Sequence, residues 1–313
     1  MAEAAGETPL GPGSRRLDLI ASDGVALRAA HLPVAGARGV VLLLQGRTEF
    51  LEKYAGVAGA FVERGYAVAA IDWRGQGGSA RATGDPMLGH VESFAAYQRD
   101  LDAFVAAVER LEPGAPRTLF AHSMGGAIAL GGLLREAALA ERAIFSAPMW
   151  GLAPSALLRA LARGLSWAAT GVGLGERYAL GGGPTPYVFE GFDGNLLTSD
   201  RAEFEKLVDA TRRVGPFALG GPSWRWAREA LREIDALGAA GPIPVPSLVV
   251  AGSEERVTDL DAMRARAAAP GARFAMIDGA RHEPFIESPP RRAALWRAID
   301  DFLADDGRAP RAA

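Results

Sequence analysis

Short apolar runs bounded by turn residues recur along this chain, with helical periods between them: GVVLLLQG, YAVAAIDW, RTLFAHS, RAIFSAP, PSLVVAGS and RFAMIDG. A strand that is apolar on both faces belongs inside a parallel sheet, because only crossover helices can cover both of its sides. The intervening segments have helical character. Tyr54–Arg64 is expected to be helical and to end before Gly65, where a left-handed cap is easiest. Ser93–Arg110 carries Phe94, Tyr97, Leu101, Phe104, Val105 and Val108 on one stripe. Further helices are expected over MGGAIALGGLLREA, from about Asp259, and through Trp296 and Phe302 near the end. The opening differs: RRLDLIAS and GVALRAAHLPV flank Asp23-Gly24, a two-residue hairpin signal, so the sheet begins antiparallel.

The alternation breaks between Trp150 and Trp226, a stretch rich in Gly, Pro, Trp and Tyr with only fragmentary helical periodicity. An insertion of that length between regular βα units, with apolar residues of its own, reads as a cap or lid. The expected organisation is a disordered tail over 1–14, a core formed by 15–149 and 227–304, a cap over 150–226, and a second disordered tail over 305–313. With 313 residues, 49% of them hydrophobic, the chain has ample material for such a core. The net charge of −3 gives no basic surplus to hold nucleic acid. The absence of cysteine excludes disulfides, thiolate metal sites and a cysteine nucleophile, and fits a cytoplasmic location. MAEAAGETPLGPGSRR has acids where a signal peptide needs a positive segment. No run reaches the ~18 apolar residues of a membrane span. Leu152–Gly175 is amphipathic and suited to covering a pocket or touching a membrane surface. No metal or cofactor is expected, and oligomeric state is not legible.

Chemistry enters at TLFAHSMGGAIAL. Ser123 falls at the end of one predicted strand and the start of the next helix, on the edge where parallel sheets expose their sites. A sharp strand-to-helix turn there needs small neighbours, supplied by Ala121 and Gly125, with Gly126 giving further room. This is a nucleophile elbow with Ala in place of the first Gly of G-x-S-x-G, and it aims the backbone N–H of Met124 at the site as an oxyanion donor. The competing role is a plain helix N-cap. In this architecture an acid and then a histidine follow the serine. His31 lies in the second strand, His90 precedes a helix, and His122 is expected to point away from the nucleophile. Only His282, in DGARHEP after the last strand, lies downstream, and it is the expected base. The acid should follow SLVVAG, where Glu255 is favoured and Glu254 is the alternative. LLLQGRTEF supplies the second oxyanion donor, the N–H of Arg47, beside Gln45-Gly46. DWRGQGGS lacks the lysine of a phosphate loop and is read as a turn bracing the site.

AHSMGG, DWRGQGGS, GHVESF and GARHE, in this order and spacing, resemble the monoacylglycerol lipase and bacterial lysophospholipase group of α/β-hydrolases. The resemblance runs from about Arg15 to Leu303 and is weakest in the insertion. It implies an eight-stranded, mostly parallel sheet with helices on both faces, a cap after the sixth strand, and hydrolysis of a single acyl ester. Ser123 then matches the nucleophile, His282 the base, and Arg47 and Met124 the oxyanion donors. Two departures stand out: Gln45-Gly46 replaces the group's usual His-Gly, and GSEERV aligns Glu255 with its usual Asp. Gln45, Met149, Trp150, Leu152 and Phe189 are candidate substrate contacts. The expected partner is an acyl-ester small molecule, met at a transient membrane contact. A small-ester esterase or aminopeptidase on the same triad, and a catalytically silent binding protein, are the alternatives. An epoxide or halide hydrolase would need an aspartate at position 123.

Overall fold

The computed structural model describes residues 8–153 and 156–305. Eight strands form one sheet: β1 (Arg15–Ile20), β2 (Ala26–Leu32), β3 (Val40–Leu44), β4 (Ala67–Ile71), β5 (Arg117–His122), β6 (Arg142–Ser146), β7 (Ser247–Gly252) and β8 (Ala272–Ile277). Their spatial order is β1-β2-β4-β3-β5-β6-β7-β8. The hairpin through Asp23-Gly24 makes β1 and β2 antiparallel, β2 is antiparallel to β4, and every later pairing is parallel. All carboxyl ends from β3 to β8 therefore reach one edge of the sheet, where loops can converge on a ligand.

The helices are α1 (Ala55–Glu63), α2 (Phe94–Leu111), α3 (Met124–Arg135), α4 (Ala156–Gly171), α5 (Arg201–Val214), α6 (Trp224–Gly238), α7 (Leu260–Ala267) and α8 (Pro289–Ala304); α1 and α8 pack on one face of the sheet, and α2, α3, α6 and α7 on the other. Alternate residues of β3 divide between two cores, as the pleat requires. Leu42 and Leu44 join Phe104 of α2 and Leu130 of α3 on one side. Val41 and Leu43 join Phe61 of α1 and Ile299 of α8 on the other. The strands read as continuous apolar runs because both of these surfaces need filling.

Three boundaries depart from expectation. Residues 8–14 are not a loose tail: Gly11 and Gly13 turn the chain with positive φ, and Leu10, 1% exposed, anchors it in the α1/α8 core. Residues 1–7 and 306–313 lie outside the described residues. Trp150 belongs to the main core, where its ring meets Phe145 at 4.8 Å and its indole N–H donates to Gly126 O at 3.1 Å. The expected resumption of the core at residue 227 falls inside α6. That helix starts at Trp224 because the Ser223 hydroxyl accepts the Trp226 N–H, satisfying a first-turn donor. Between β6 and β7 the chain thus carries α4, α5 and α6, joined by irregular turns.

Candidate active site

Ser123 sits where β5 ends and α3 begins, with φ +50° and ψ −117°, a conformation that side chains other than glycine seldom adopt. Neighbouring backbone holds it there: Ser123 N–H donates to Ser146 O at 3.1 Å, and Ser123 O accepts from Met149 N at 2.9 Å. Small residues are obligatory around it. A Cβ on Gly125 would lie 2.1 Å from Leu44 O, and one on Gly126 would lie 2.6 Å from the Pro148 side chain.

The Ser123 hydroxyl is 3.0 Å from His282 Nε2, and His282 Nδ1 is 2.8 Å from Glu255 Oε2. Facing a carboxylate, Nδ1 carries the proton, which leaves Nε2 to accept from the hydroxyl. Glu255 is fully buried, and its other oxygen accepts the Val257 and Thr258 N–H groups at 2.6 and 3.1 Å. Burial opposes its charge, but His282 and these amides outweigh it and hold the carboxyl below its ordinary range. Burial likewise opposes charge on His282, and Glu255, with lesser help from Glu283 and Glu49, raises the imidazole above its ordinary 6.5. Glu254, half exposed, lies 3.7 Å from Arg281 and takes no part. A hydroxyl, an imidazole and a buried carboxylate in this line can move a proton off the hydroxyl as it attacks an electrophile.

His122 departs from its expected direction. Its ring lies 4.8 Å from that of His282 and borders the same cavity, although it is not bonded to Ser123. Nδ1–H donates to Ser146 O at 2.9 Å, and burial pushes the ring down to about 3, keeping it neutral.

The β3 exit is clamped on three sides. Trp73 Nε1 donates to Gln45 O at 2.9 Å, Gln76 Nε2 donates to Gly46 O at 2.7 Å, and the Glu49 carboxylate accepts the Gly46 N–H. DWRGQGGS thus supplies two of the three braces. Glu49 also accepts from Tyr54 Oη at 2.7 Å and pairs with Lys53 at 2.6 Å; the Lys53 ammonium meets Glu283 at 2.6 Å as well. Burial opposes the Glu49 charge, yet Lys53 and these donors bring its carboxyl down to about 2. Glu49, His122 and Glu283 are close enough to hold a metal ion, but the Lys53 ammonium already bridges the two carboxylates. Among the described residues, the N–H groups of Arg47 and Met124 have no acceptor.

Sequence reasoning missed the Glu49–Lys53–Glu283 group. Its signals were Lys53, one of only two lysines, four residues after Glu49, and a second acid directly after His282.

Ser123, His282, Arg47 and Met124 line a cavity of about 340 Å³. Of the candidate substrate contacts, Met149 and Leu152 line it too. Three others do not. Gln45 is buried beneath the floor, its amide N–H₂ donating to Ile71 O and Asp72 Oδ1 at 2.6 Å each. Trp150 is turned into the core, and Phe189 is 40% exposed beside Arg212. Val188, Leu196, Leu197, Leu207 and Leu219, all from between β6 and β7, close the upper wall instead.

A family model described as serine aminopeptidase, S33, matches residues 35–289. The chain belongs to that family. It is a serine hydrolase of the α/β-hydrolase fold. Lysophospholipase L2 of Escherichia coli K12 is 34% identical over 279 residues, covering 84% of this chain and 80% of that protein. The probable lysophospholipase L2 of Haemophilus influenzae is 30% identical, covering 89% and 88%. Among solved structures, a soluble variant of the Saccharomyces cerevisiae monoglyceride lipase aligns with TM-score 0.72 at 18% identity, covering 91% of this chain and 94% of that one. A Bacillus coagulans carboxyl esterase aligns with TM-score 0.73 at 19% identity, covering 94% and 98%. Those two likenesses are of fold. They place this S33 chain in the eight-stranded, mostly parallel architecture expected from its motifs.

Proposed function

We propose that this S33 chain hydrolyses the acyl ester of monoacyl lipids, lysophospholipids foremost, through an acyl-enzyme on Ser123. The observation that carries the reading is the Ser123–His282–Glu255 line opening into a cavity with an apolar upper wall. Its volume falls in the range of small-molecule sites. The lysophospholipase L2 relatives support the substrate class.

The steps follow from the atoms. His282 Nε2 takes the Ser123 proton as Oγ attacks the ester carbonyl carbon. The unpartnered N–H groups of Arg47 and Met124 receive the oxyanion, and Glu255 stabilises the imidazolium. The carbonyl re-forms, the C–O bond to the alcohol breaks, and His282 hands its proton to the departing alkoxide. Water, deprotonated by His282, then attacks the acyl-enzyme and releases the fatty acid. The chain between Trp150 and the start of α6 acts as the cap that selects the acyl chain.

The route to a bilayer-borne substrate is α4. Its outward face carries Leu157, Leu161, Leu165 and Trp167, each 47–69% exposed, while Arg163 pairs with Asp235 of α6 and Ser166 is buried. This reverses ordinary surface amphipathicity, and a lipid surface is the occupant matched to such a face. Among the described residues no helix is long and apolar enough to cross a membrane. The contact read from α4 is peripheral, made by one face of a helix.

The test is a substrate panel: a lysophospholipid and a monoacylglycerol of matched chain length, a short p-nitrophenyl ester and an amino-acyl anilide. The reading expects both lipids to be cleaved with the highest kcat/KM. Preference for the anilide would assign an aminopeptidase, and preference for the short ester a small-ester esterase.

A further inference from the structure

Two cations border the cavity, and they differ in their partners. The Lys53 ammonium is committed to Glu49 and Glu283 at 2.6 Å each. Arg47 has no ion pair among the described residues. Its Nη1 donates to the Gly220 carbonyl at 3.1 Å, and the guanidinium lies 5.3 Å from the centre of the Trp226 ring. A guanidinium offers five N–H donors. Here Nε and Nη2 meet no acceptor among the described residues, and neither is among the polar atoms sealed from solvent. Burial lowers the group to about 10, so it stays charged at neutral pH. A cation beside the nucleophile with no counter-ion and spare donors is costly unless an anion arrives with the substrate.

We propose that the Arg47 guanidinium is an anion subsite that takes the phosphodiester of the lysophospholipid headgroup. The inference deepens the monoacyl-lipid reading and rests on Ser123 as the acyl acceptor. Position supports it: Arg47 directly follows Gly46, where a Cβ would lie 3.1 Å from Ser123 Cβ, so its backbone starts close to the nucleophile while its side chain extends toward Gly89, Gly220 and Trp226. In a lysophospholipid the phosphorus is likewise a few bonds beyond the ester carbonyl, on the alcohol side. The carboxylate of the released fatty acid does not fit this role, because it forms on the carbon held at Ser123 itself. Guanidinium–phosphate pairing is charge-assisted and suits the planar fork. A monoacylglycerol has no charge to offer, so Arg47 discriminates between the two lipids.

The experiment measures binding to Ser123→Ala by calorimetry, which needs no turnover. The probes are a short-chain lysophosphatidylcholine below its micelle concentration, the monoacylglycerol of the same chain, and inorganic phosphate. Adding Arg47→Gln should weaken the phosphodiester lipid about tenfold or more relative to the monoacylglycerol, with Arg47→Lys recovering part of the loss. Equal weakening of both lipids would overturn the proposal and leave Arg47 as a brace for Gly220 and Trp226. Inorganic phosphate binding as tightly as the lysophospholipid, and lost with Arg47→Gln, would overturn the headgroup assignment in favour of free phosphate. A parallel turnover assay separates the two readings: a wild type that binds through Arg47 but cleaves neither lipid would contradict the hydrolase reading alone.

Discussion

The floor and the upper wall of the cavity are built on different principles. The floor is made of strand ends, and apart from the open N–H groups of Arg47 and Met124 its polar atoms are held by named partners: Ser123 by Ser146 and Met149, His282 by Glu255, Glu255 by two amides, and the Gly46 N–H by Glu49. The upper wall comes from the long segment between β6 and β7 and meets the cavity mostly through apolar side chains such as Leu197, Leu207 and Leu219. Directional bonds in a buried place tolerate little displacement, whereas apolar contact is non-directional and tolerates exchange. On the proposed reading, the floor fixes the chemistry and the wall selects the acyl chain.

Substitutions can break or sharpen that contrast. Ser123→Ala should cost about 10⁴–10⁶ in kcat on every ester tested, long or short, in steady-state kinetics. A loss confined to long-chain substrates would erase the division between floor and wall. Next, Glu255→Gln should lower kcat by about 10²–10⁴. Glu254→Gln, at an exposed site one residue away, should stay within about twofold. Equal losses would mean that the buried pairing with His282 is not what matters. The outer face should behave unlike both. Leu161→Glu with Leu165→Glu should cost roughly tenfold in vesicle binding and in hydrolysis of vesicle-borne substrate, measured by co-sedimentation and titration of released acid. It should leave a dispersed short ester unaffected. If the vesicle-borne and dispersed substrates fall together, α4 supports the fold and does not dock on lipid.

The smallest effect is a displacement in pH. His282 acts as a base only when neutral, and its pKa in the fold lies above the ordinary 6.5. The acid limb of kcat/KM should therefore bend above pH 6.5, with activity lost as pH falls through that point. Glu255→Gln, which removes the main cause of the raised value, should move the bend lower. A bend well below 6.5 in the wild type would show that burial outweighs Glu255.

The contrast also explains what was legible in the sequence. The sheet was readable because strands buried on both faces must be continuously apolar, and the hairpin because Asp23-Gly24 fits so few alternatives. Ser123 and His282 were readable because a sheet edge and chain order leave few places for them. The structure brings both together with Glu255, where the sequence alone left Glu254 open. The Glu49–Lys53–Glu283 group escaped because its members meet across more than 200 residues, and an acid beside a histidine looks like any polar loop. Gln45, Trp150 and Phe189 were misplaced for a simpler reason. Proximity in sequence to the site says nothing of which way a side chain turns, and each found a different partner. The region between β6 and β7 was hardest, since its apolar residues have no period that separates lining from core. Even so, the start of α6 carries a local signal in Ser223, whose hydroxyl accepts the N–H of Trp226 three residues on.

The central claim is that Ser123 is a nucleophile made reactive by His282 and Glu255. It is tested most directly by reacting the intact protein with a fluorophosphonate and mapping the adduct by mass spectrometry. The account predicts a single adduct on Ser123, absent in Ser123→Ala and strongly slowed in His282→Ala and Glu255→Gln. A folded wild type that takes no label, or labels elsewhere, would contradict it.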